Sequence, residues 1–131
     1  ARFRFSLFID QINTNPNPVC PFALTKDMEC TLRMYVKPDS ITLQQNVNGI
    51  STEANAPFNV TRNRWFDVRV DVDMPNKVGA IYLDGAKVVG DVPLRCDWLT
   101  GQSRRAFLGI FYTKGQAGQR FLYDHVIFET Q

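Results

Sequence analysis

The stretch from residue 63 to residue 89 constrains the fold most, because apolar and polar side chains alternate along it with a period of two. A β-strand sends successive side chains to opposite faces, so this period predicts a strand with one face on a core. The expected core-facing residues are Phe66, Val68, Val70 and Val72. The dipeptide Asp84-Gly85 favours a tight hairpin turn, in which both central residues take positive φ. The stretch therefore predicts β-hairpins. The face of its first strand opposite the core, which carries Trp65 and Asp67, is expected to meet solvent or a ligand.

Similar signals recur along the whole chain. About eight strands are predicted, at residues 1–10, 22–25, 31–36, 41–47, 65–73, 79–83, 105–112 and 120–129. Residues 51–57 and 91–103 are predicted as loops, and the strand at 105–112, which is apolar on both faces, as central and buried. No segment keeps a helical apolar period beyond two turns, so no crossover helix is expected and the sheets should be antiparallel.

Length, net charge and hydropathy limit the number of domains and the classes of partner. The chain has 131 residues, which predicts one β-sandwich domain over residues 1–131. Its formal net charge is +2, too small to indicate nucleic-acid binding. No apolar run approaches the ~20 residues that cross a bilayer, so no membrane span is expected.

Three sequence patterns, in order along the chain, carry a family resemblance. Pro21-Phe22-Ala23-Leu24 precedes a strand, and Trp65 begins the alternating strand that leads to Asp84-Gly85. The segment 106–112 is followed, after a glycine-containing loop, by the strand-like segment from Phe121 to Phe128. Together they resemble the concanavalin A-like lectin/glucanase superfamily, in particular laminin-G-like modules and jelly-roll polysaccharide lyases. The resemblance implies an all-β, antiparallel two-sheet sandwich of the concanavalin A-like jelly-roll type.

The same resemblance implies a lectin-like, glycan-binding or cell-surface recognition domain. A polysaccharide lyase acting on an acidic glycan is the alternative. A lyase needs a base beside the uronate and a group that neutralises its carboxylate. Tyr35, Tyr112, Tyr123 and His125 would be the candidate bases, with Arg33 or Gln44 as the neutralising group. The Gln-x-His motif that lyases carry on an early strand is missing, which favours a non-catalytic domain. A module for protein–protein contacts or homo-oligomer formation is the third interpretation.

Polar residues on the predicted solvent faces suggest where a glycan would bind. The candidate ligand-binding residues are Arg4, Arg33, Tyr35, Gln44 and Asn46. Guanidinium groups pair with carboxylate or sulfate, amides bind hydroxyl groups, and aromatic rings pack on apolar sugar faces. If their strands are neighbours in one sheet, these residues form one shallow surface suited to an acidic carbohydrate.

The cysteines and one sequon bear on the compartment. Cys20 and Cys30 could form a disulfide around a short loop, and three unlinked thiols in a reducing compartment are the alternative. Asn59-Val60-Thr61 fits the N-glycosylation acceptor pattern, so Asn59 is the glycosylation candidate. These features favour an extracellular or surface protein.

No cofactor is predicted, with calcium as the alternative. The single histidine and three scattered cysteines do not have zinc-ligand spacing. Oxygen ligands for calcium could come from the acids of one strand face and from an early loop; these residues are Asp67, Asp71, Asp73, Asn13, Asn15 and Asn17. Acids in a row on one strand are, however, typical of a solvated surface.

Overall fold

Ten β-strands form the regular structure of residues 1–11, 18–26, 30–99, 104–109 and 120–130, the part of the chain that the computed structural model describes. The strands are β1 (Arg2–Gln11), β2 (Val19–Lys26), β3 (Cys30–Val36), β4 (Ser40–Val47), β5 (Ile50–Pro57), β6 (Arg64–Asp73), β7 (Val78–Leu83), β8 (Ala86–Pro93), β9 (Arg104–Leu108) and β10 (Arg120–Glu129).

The strands form two five-stranded sheets. The first sheet has the order β10-β1-β6-β7-β8, and the second has the order β5-β4-β3-β2-β9. Every neighbouring pair is antiparallel. Strand β8 contacts β4 and β5, so the sandwich is closed on the side where β8 meets β5. The predicted antiparallel two-sheet sandwich is confirmed.

The core lies between the two sheets, and the predicted alternation supplies it. Phe66 is 2% exposed, and Val68, Val70 and Val72 are fully buried. The neighbouring β1 buries Phe3, Phe5, Leu7 and Ile9 on the same side. From the second sheet, the ring of Phe22 lies 5.0 Å from that of Phe3 and 6.2 Å from that of Phe5, centroid to centroid. Aromatic packing therefore joins the sheets near their β1 and β2 strands.

Two tight turns match their sequence signals. Asn48 and Gly49 join β4 to β5 with φ of 49° and 81°, and Asp84 and Gly85 join β7 to β8 with φ of 49° and 82°. Positive φ at both central positions is what a type I′ hairpin requires, and glycine adopts it without steric cost. The side chain of Asp84 also accepts a hydrogen bond from the backbone N–H of Asp67 at 2.9 Å, which fixes the turn against β6.

Three predicted segments differ from the structure. The loop predicted at 91–103 begins later, because β8 extends to Pro93. Residues 51–57, predicted as loop, belong to β5, an edge strand whose inward residues are Thr52 and the small Ala54 and Ala56, so its apolar signal is weak. The strand predicted at 105–112 as central and buried is β9, which ends at Leu108 and lies at a sheet edge with Arg105 and Phe107 exposed. Its remainder lies outside the described residues.

The disulfide pairing differs from the expected one. Cys30 is bonded to Cys96, with a Cα–Cα distance of 6.1 Å, and Cys20 is a buried free thiol. Cys20 cannot join Cys30 because its side chain lies on the outer side of the second sheet, in a small cluster with Ala23 and Tyr35. The bond that does form links the start of β3 to the segment after β8, and so joins the two sheets covalently.

A buried glutamine holds the same segment in place. Gln45 is 1% exposed, and its Oε1 accepts hydrogen bonds from the backbone N–H groups of Arg95 at 2.7 Å and Cys96 at 3.1 Å. These bonds satisfy backbone donors that would otherwise be buried without partners. Trp98, only 1% exposed, adds its indole to the core just beyond.

Candidate functional site

The outer face of the second sheet gathers polar side chains into rows that cross its strands. One row passes through all five strands: Phe107, Ala23, Arg33, Gln44 and Glu53 are successive register partners. Because register partners share a face, these side chains lie side by side on the surface. Arg33 and Gln44, both predicted as ligand-binding residues, are therefore direct neighbours.

Flanking rows add further hydrogen-bonding groups. In one of them Thr31, Asn46 and Ser51 are partners, and Asn46 Nδ2 donates to Ser51 Oγ at 3.0 Å. In the central row, Gln44 Nε2 donates to Glu53 Oε1 at 2.5 Å. Cross-strand bonds of this kind hold the amides in fixed orientations, while each amide keeps capacity for a second partner.

Arg33 and Tyr35 also come together, but in different roles. Arg33 Nη1 donates to the Tyr35 hydroxyl at 3.3 Å. Tyr35 is 7% exposed and packs with Cys20 and Ala23, so its ring is not available to stack on a ligand. The contact makes Tyr35 a positioning residue for the Arg33 guanidinium.

The exposed aromatic residue of this face is one that the sequence reasoning missed. Phe107 is 36% exposed and lies in the same row as Arg33. It was overlooked because its strand is apolar on both faces, a pattern that also fits a buried central strand. An exposed ring in one row with a guanidinium two strands away and an amide three strands away is a combination that suits an extended sugar chain.

Arg4 lies apart from the other predicted ligand-binding residues. It belongs to β1, and its register partners Arg69 and Ile127 lie on β6 and β10 of the first sheet. Arg4 is therefore on the opposite outer face of the sandwich. Its guanidinium lies 3.8 Å from Glu129. The expectation that Arg4 joins the β3–β4 surface is wrong, because β1 pairs with β6 and β10.

The first sheet's outer face is occupied by ion pairs. Arg2 donates to both carboxylate oxygens of Asp71, at 2.8 and 3.3 Å, and Arg69 lies 3.4 Å from the same carboxylate. The guanidinium of Arg69 also lies 3.5 Å from the centre of the Tyr82 ring. These contacts place a carboxylate between two guanidinium groups of this face, which offsets part of their attraction for an acidic ligand.

Two other candidate bases of a lyase, Tyr123 and His125, contact groups other than Arg33. His125 sits in an irregularity of β10 with its side chain 78% exposed, 3.2 Å from Asp124. Tyr123 donates its hydroxyl to the backbone carbonyl of Pro21 at 3.2 Å and is half-buried. Tyr112 lies outside the described residues. In the described part of the chain, Tyr35 alone among these groups contacts a candidate neutralising group.

Two of the three acids proposed for calcium are held by other residues. Asp71 is paired with arginines, and Asp73 accepts hydrogen bonds from the backbone and side chain of Asn76. No group of three or more His, Cys, Asp and Glu side chains placed to hold a metal ion occurs among the described residues. Asn13, Asn15 and Asn17 lie outside them.

A cavity of about 500 Å³ opens between the edges of the two sheets at β9 and β10. Its floor is the aromatic core, including Phe3 and Phe22, and its rim includes Val126, Phe128 and Leu108. The lining is mainly apolar. Among the described residues, this cavity reaches the core on the side of the sandwich opposite the β8–β5 contact.

Burial perturbs two groups near this sheet. Burial raises the pKa of the Cys20 thiol from 9.0 to about 11. Burial likewise raises the pKa of Tyr123. Both groups are neutral when folded at pH 7, because a low-dielectric environment disfavours the charged form.

The raised pKa of Cys20 predicts a loss of stability in alkali. The folded thiol keeps its proton while the unfolded thiol ionises, so its contribution is fully present below pH 9.0 and is lost as the pH rises through about 11. Between these limits wild type should lose about 2 kcal/mol more unfolding free energy than Cys20→Ala. Urea titrations across this range measure the difference. Parallel pH profiles of the two proteins would contradict the prediction.

The predicted glycosylation site is accessible. Asn59 is exposed and lies between β5 and β6. Within the described ranges no helix is long and apolar enough to cross a membrane.

The comparisons with known proteins support the fold. No protein-family model matches the sequence, and no curated protein matches it. Among solved structures, the chain is similar to the native heptameric SAP-like pentraxin from Limulus polyphemus, with a TM-score of 0.57 at 14% sequence identity. The match covers 95% of this chain and 62% of the pentraxin chain. The chain thus has the two-sheet jelly-roll fold of this pentraxin, and it spans somewhat less than two thirds of the pentraxin's length.

Proposed function

We propose that the chain is a non-catalytic, lectin-like recognition domain that binds an acidic glycan on the outer face of its second sheet. The observation that carries the proposal is the row in which Phe107, Arg33, Gln44 and Glu53 lie on neighbouring or next-neighbouring strands of one face. On the first sheet's outer face, the carboxylates of Asp71 and Glu129 lie beside the arginines and would repel an anionic sugar.

Each member of the row has a role that follows from its chemistry. The Arg33 guanidinium would pair with a carboxylate or sulfate through two parallel hydrogen bonds. Gln44 and Asn46 would bind hydroxyl groups with the capacity left by their cross-strand bonds. Phe107 would contact the apolar face of a sugar ring.

Catalysis is not part of the proposal. A lyase base must reach the proton beside the uronate carboxylate. Tyr35 is near Arg33 but is buried, and the half-buried Tyr123 and the exposed His125 are associated with other groups. The face offers recognition chemistry without an accessible base beside Arg33 in the described residues.

The proposed binding does not require a metal ion. The face carries a guanidinium and amides, and its one carboxylate in the central row, Glu53, accepts a hydrogen bond from Gln44. Hard cations such as calcium need several converging oxygen ligands. Chelation with EDTA should therefore leave glycan affinity unchanged, whereas a calcium-dependent lectin would lose it.

An extracellular or surface location accompanies the proposed function. The Cys30–Cys96 disulfide is of the kind that persists in oxidising compartments, and the exposed Asn59 sequon is compatible with glycosylation there.

Substitution of Arg33 tests the proposed face. The purified chain is first applied to an array of neutral, uronic acid and sulfated glycans, and dissociation constants are then measured for the strongest acidic ligand. Arg33→Ala should weaken binding roughly 10- to 100-fold, because a charge-assisted hydrogen bond contributes about 1.5–3 kcal/mol. Arg33→Lys should recover only part of the affinity, since lysine cannot bind a carboxylate in the bidentate manner.

Arg4→Ala is the matched control, because it removes a strand arginine from the opposite outer face. Its affinity should equal that of wild type. Equal affinities of Arg33→Ala and wild type, with an intact fold by circular dichroism, would exclude this face. Ultraviolet absorbance from unsaturated sugar ends would show instead that the chain is a lyase.

A further inference from the structure

The outer edge of β10 is apolar and exposed. β10 ends the first sheet and, within the described residues, pairs only with β1. Four of its apolar side chains are well exposed: Leu122 at 41%, Val126 at 57%, Ile127 at 49% and Phe128 at 58%. An edge strand of this length and composition is a template for another strand, and proteins usually protect such edges.

The sequence of β10 complements itself when two copies are aligned antiparallel. A two-fold axis between Asp124 and His125 brings together groups that attract. The resulting pairs between copies are Arg120 with Glu129, Phe121 with Phe128, Leu122 with Ile127, Tyr123 with Val126, and Asp124 with His125. Opposite charges meet at both ends, Asp124 meets His125 at the centre, and apolar or aromatic residues meet between them.

An irregularity in β10 places these pairs on matching faces. Arg4 and Ser6 of β1 are two residues apart, while their partners Ile127 and Asp124 are three apart, so β10 has one extra residue there. In a regular strand Leu122 and Ile127 would point to opposite faces, because they are five positions apart. The extra residue puts both on the outer face, opposite Phe8 and Arg4.

The same argument holds on the inner face. Phe121 pairs with Ile9 and Phe128 with Phe3, and both partners are core residues of β1. Phe128 and Val126 also line the rim of the 500 Å³ cavity. In a continuous sheet, Phe121 and Tyr123 of a second copy would lie beside this open rim and reduce its exposure.

We propose that two copies of this chain associate through β10, antiparallel about a two-fold axis, so that the two first sheets join into one ten-stranded sheet. Such an interface is isologous, with the same surface used by both copies. Arg120 and Glu129 can take part because their side chains are 65% and 43% exposed. The proposal is independent of glycan binding, which uses the other sheet.

Charge reversal separates this interface from contacts within one chain. Arg120→Glu or Glu129→Arg alone should raise the dimer dissociation constant at least tenfold in sedimentation equilibrium, because like charges then face each other. The double variant should return it to within about threefold of wild type. Within one chain Arg120 lies near Asp10 and Glu129 near Arg4, so the double variant restores neither of those contacts.

A cysteine pair tests the register directly. Oxidised Leu122→Cys/Ile127→Cys should form a covalent dimer, while Leu122→Cys alone, whose partner stays isoleucine, should not. The proposal is overturned if the chain is monomeric at millimolar concentration, if the single charge reversals leave dissociation unchanged, or if the double variant dissociates more readily than either single one. Circular dichroism confirms that each variant is folded.

Discussion

Replacing Cys30 and Cys96 together with alanine is expected to lower the free energy of unfolding by about 4 kcal/mol. The disulfide joins positions 66 residues apart, so in the unfolded chain it closes a long loop and removes much conformational freedom. Breaking it restores that freedom and leaves the segment after β8 attached mainly through Gln45 and Trp98. Urea titration followed by tryptophan fluorescence measures the change.

Cys20→Ala is the control for the disulfide. It removes a buried thiol without touching the bond, and should cost about 1 kcal/mol. A reductant should destabilise wild type and Cys20→Ala alike, and leave the double variant unaffected. If reductant left the unfolding free energy of Cys20→Ala unchanged, the pairing of Cys30 with Cys96 would be wrong.

Trp98→Ala should destabilise the fold by about 3–5 kcal/mol. The indole is 1% exposed and is among the largest fully buried side chains of the described core. Its removal loses apolar burial and leaves a cavity that the surrounding strands and the disulfide prevent from closing. The same urea titration, read by far-ultraviolet circular dichroism because the variant lacks one tryptophan, gives the loss.

Leu99→Ala provides the comparison for Trp98. Leu99 is the next residue in the chain, and it is 54% exposed. Its truncation should change the unfolding free energy by no more than about 0.5 kcal/mol. Similar losses for both variants would mean that Trp98 is not packed in the core.

The parts of the fold that the sequence predicts are those set by local pattern. A strict period of two identified β1 and β6 and their buried faces, because one-residue shifts would expose every core side chain. Asp84-Gly85 identified its hairpin, because few residue pairs tolerate positive φ in succession; Asn48-Gly49 is a turn of the same kind, but the strand after it was predicted as loop. Antiparallel sheets followed from the lack of crossover helices.

The parts that it does not predict depend on which strands become neighbours. Arg4 and Arg33 look alike on their strands, yet β1 and β3 are in different sheets. The partner of Cys30 is 66 residues away, and nothing local to Cys96 indicates it. The candidate site is therefore partly predictable: Arg33 and Gln44 lie on a hairpin, whereas Phe107 joins them through the long-range pairing of β9 with β2.

The covalent link and Gln45 both fasten the two sheets near β8, whereas the β9–β10 side has the open cavity. This asymmetry gives the described part of the sandwich one covalently joined margin and one held by noncovalent contacts, such as the hydrogen bond from Tyr123 to Pro21. Transient separation of the layers would begin at the noncovalent margin, which β9 and β10 form, because local opening starts in the least stable part of a structure. Amide protons at the centre of β3 and β4 would then exchange with solvent much more slowly than those along β10, even though all three strands belong to one cooperative structure.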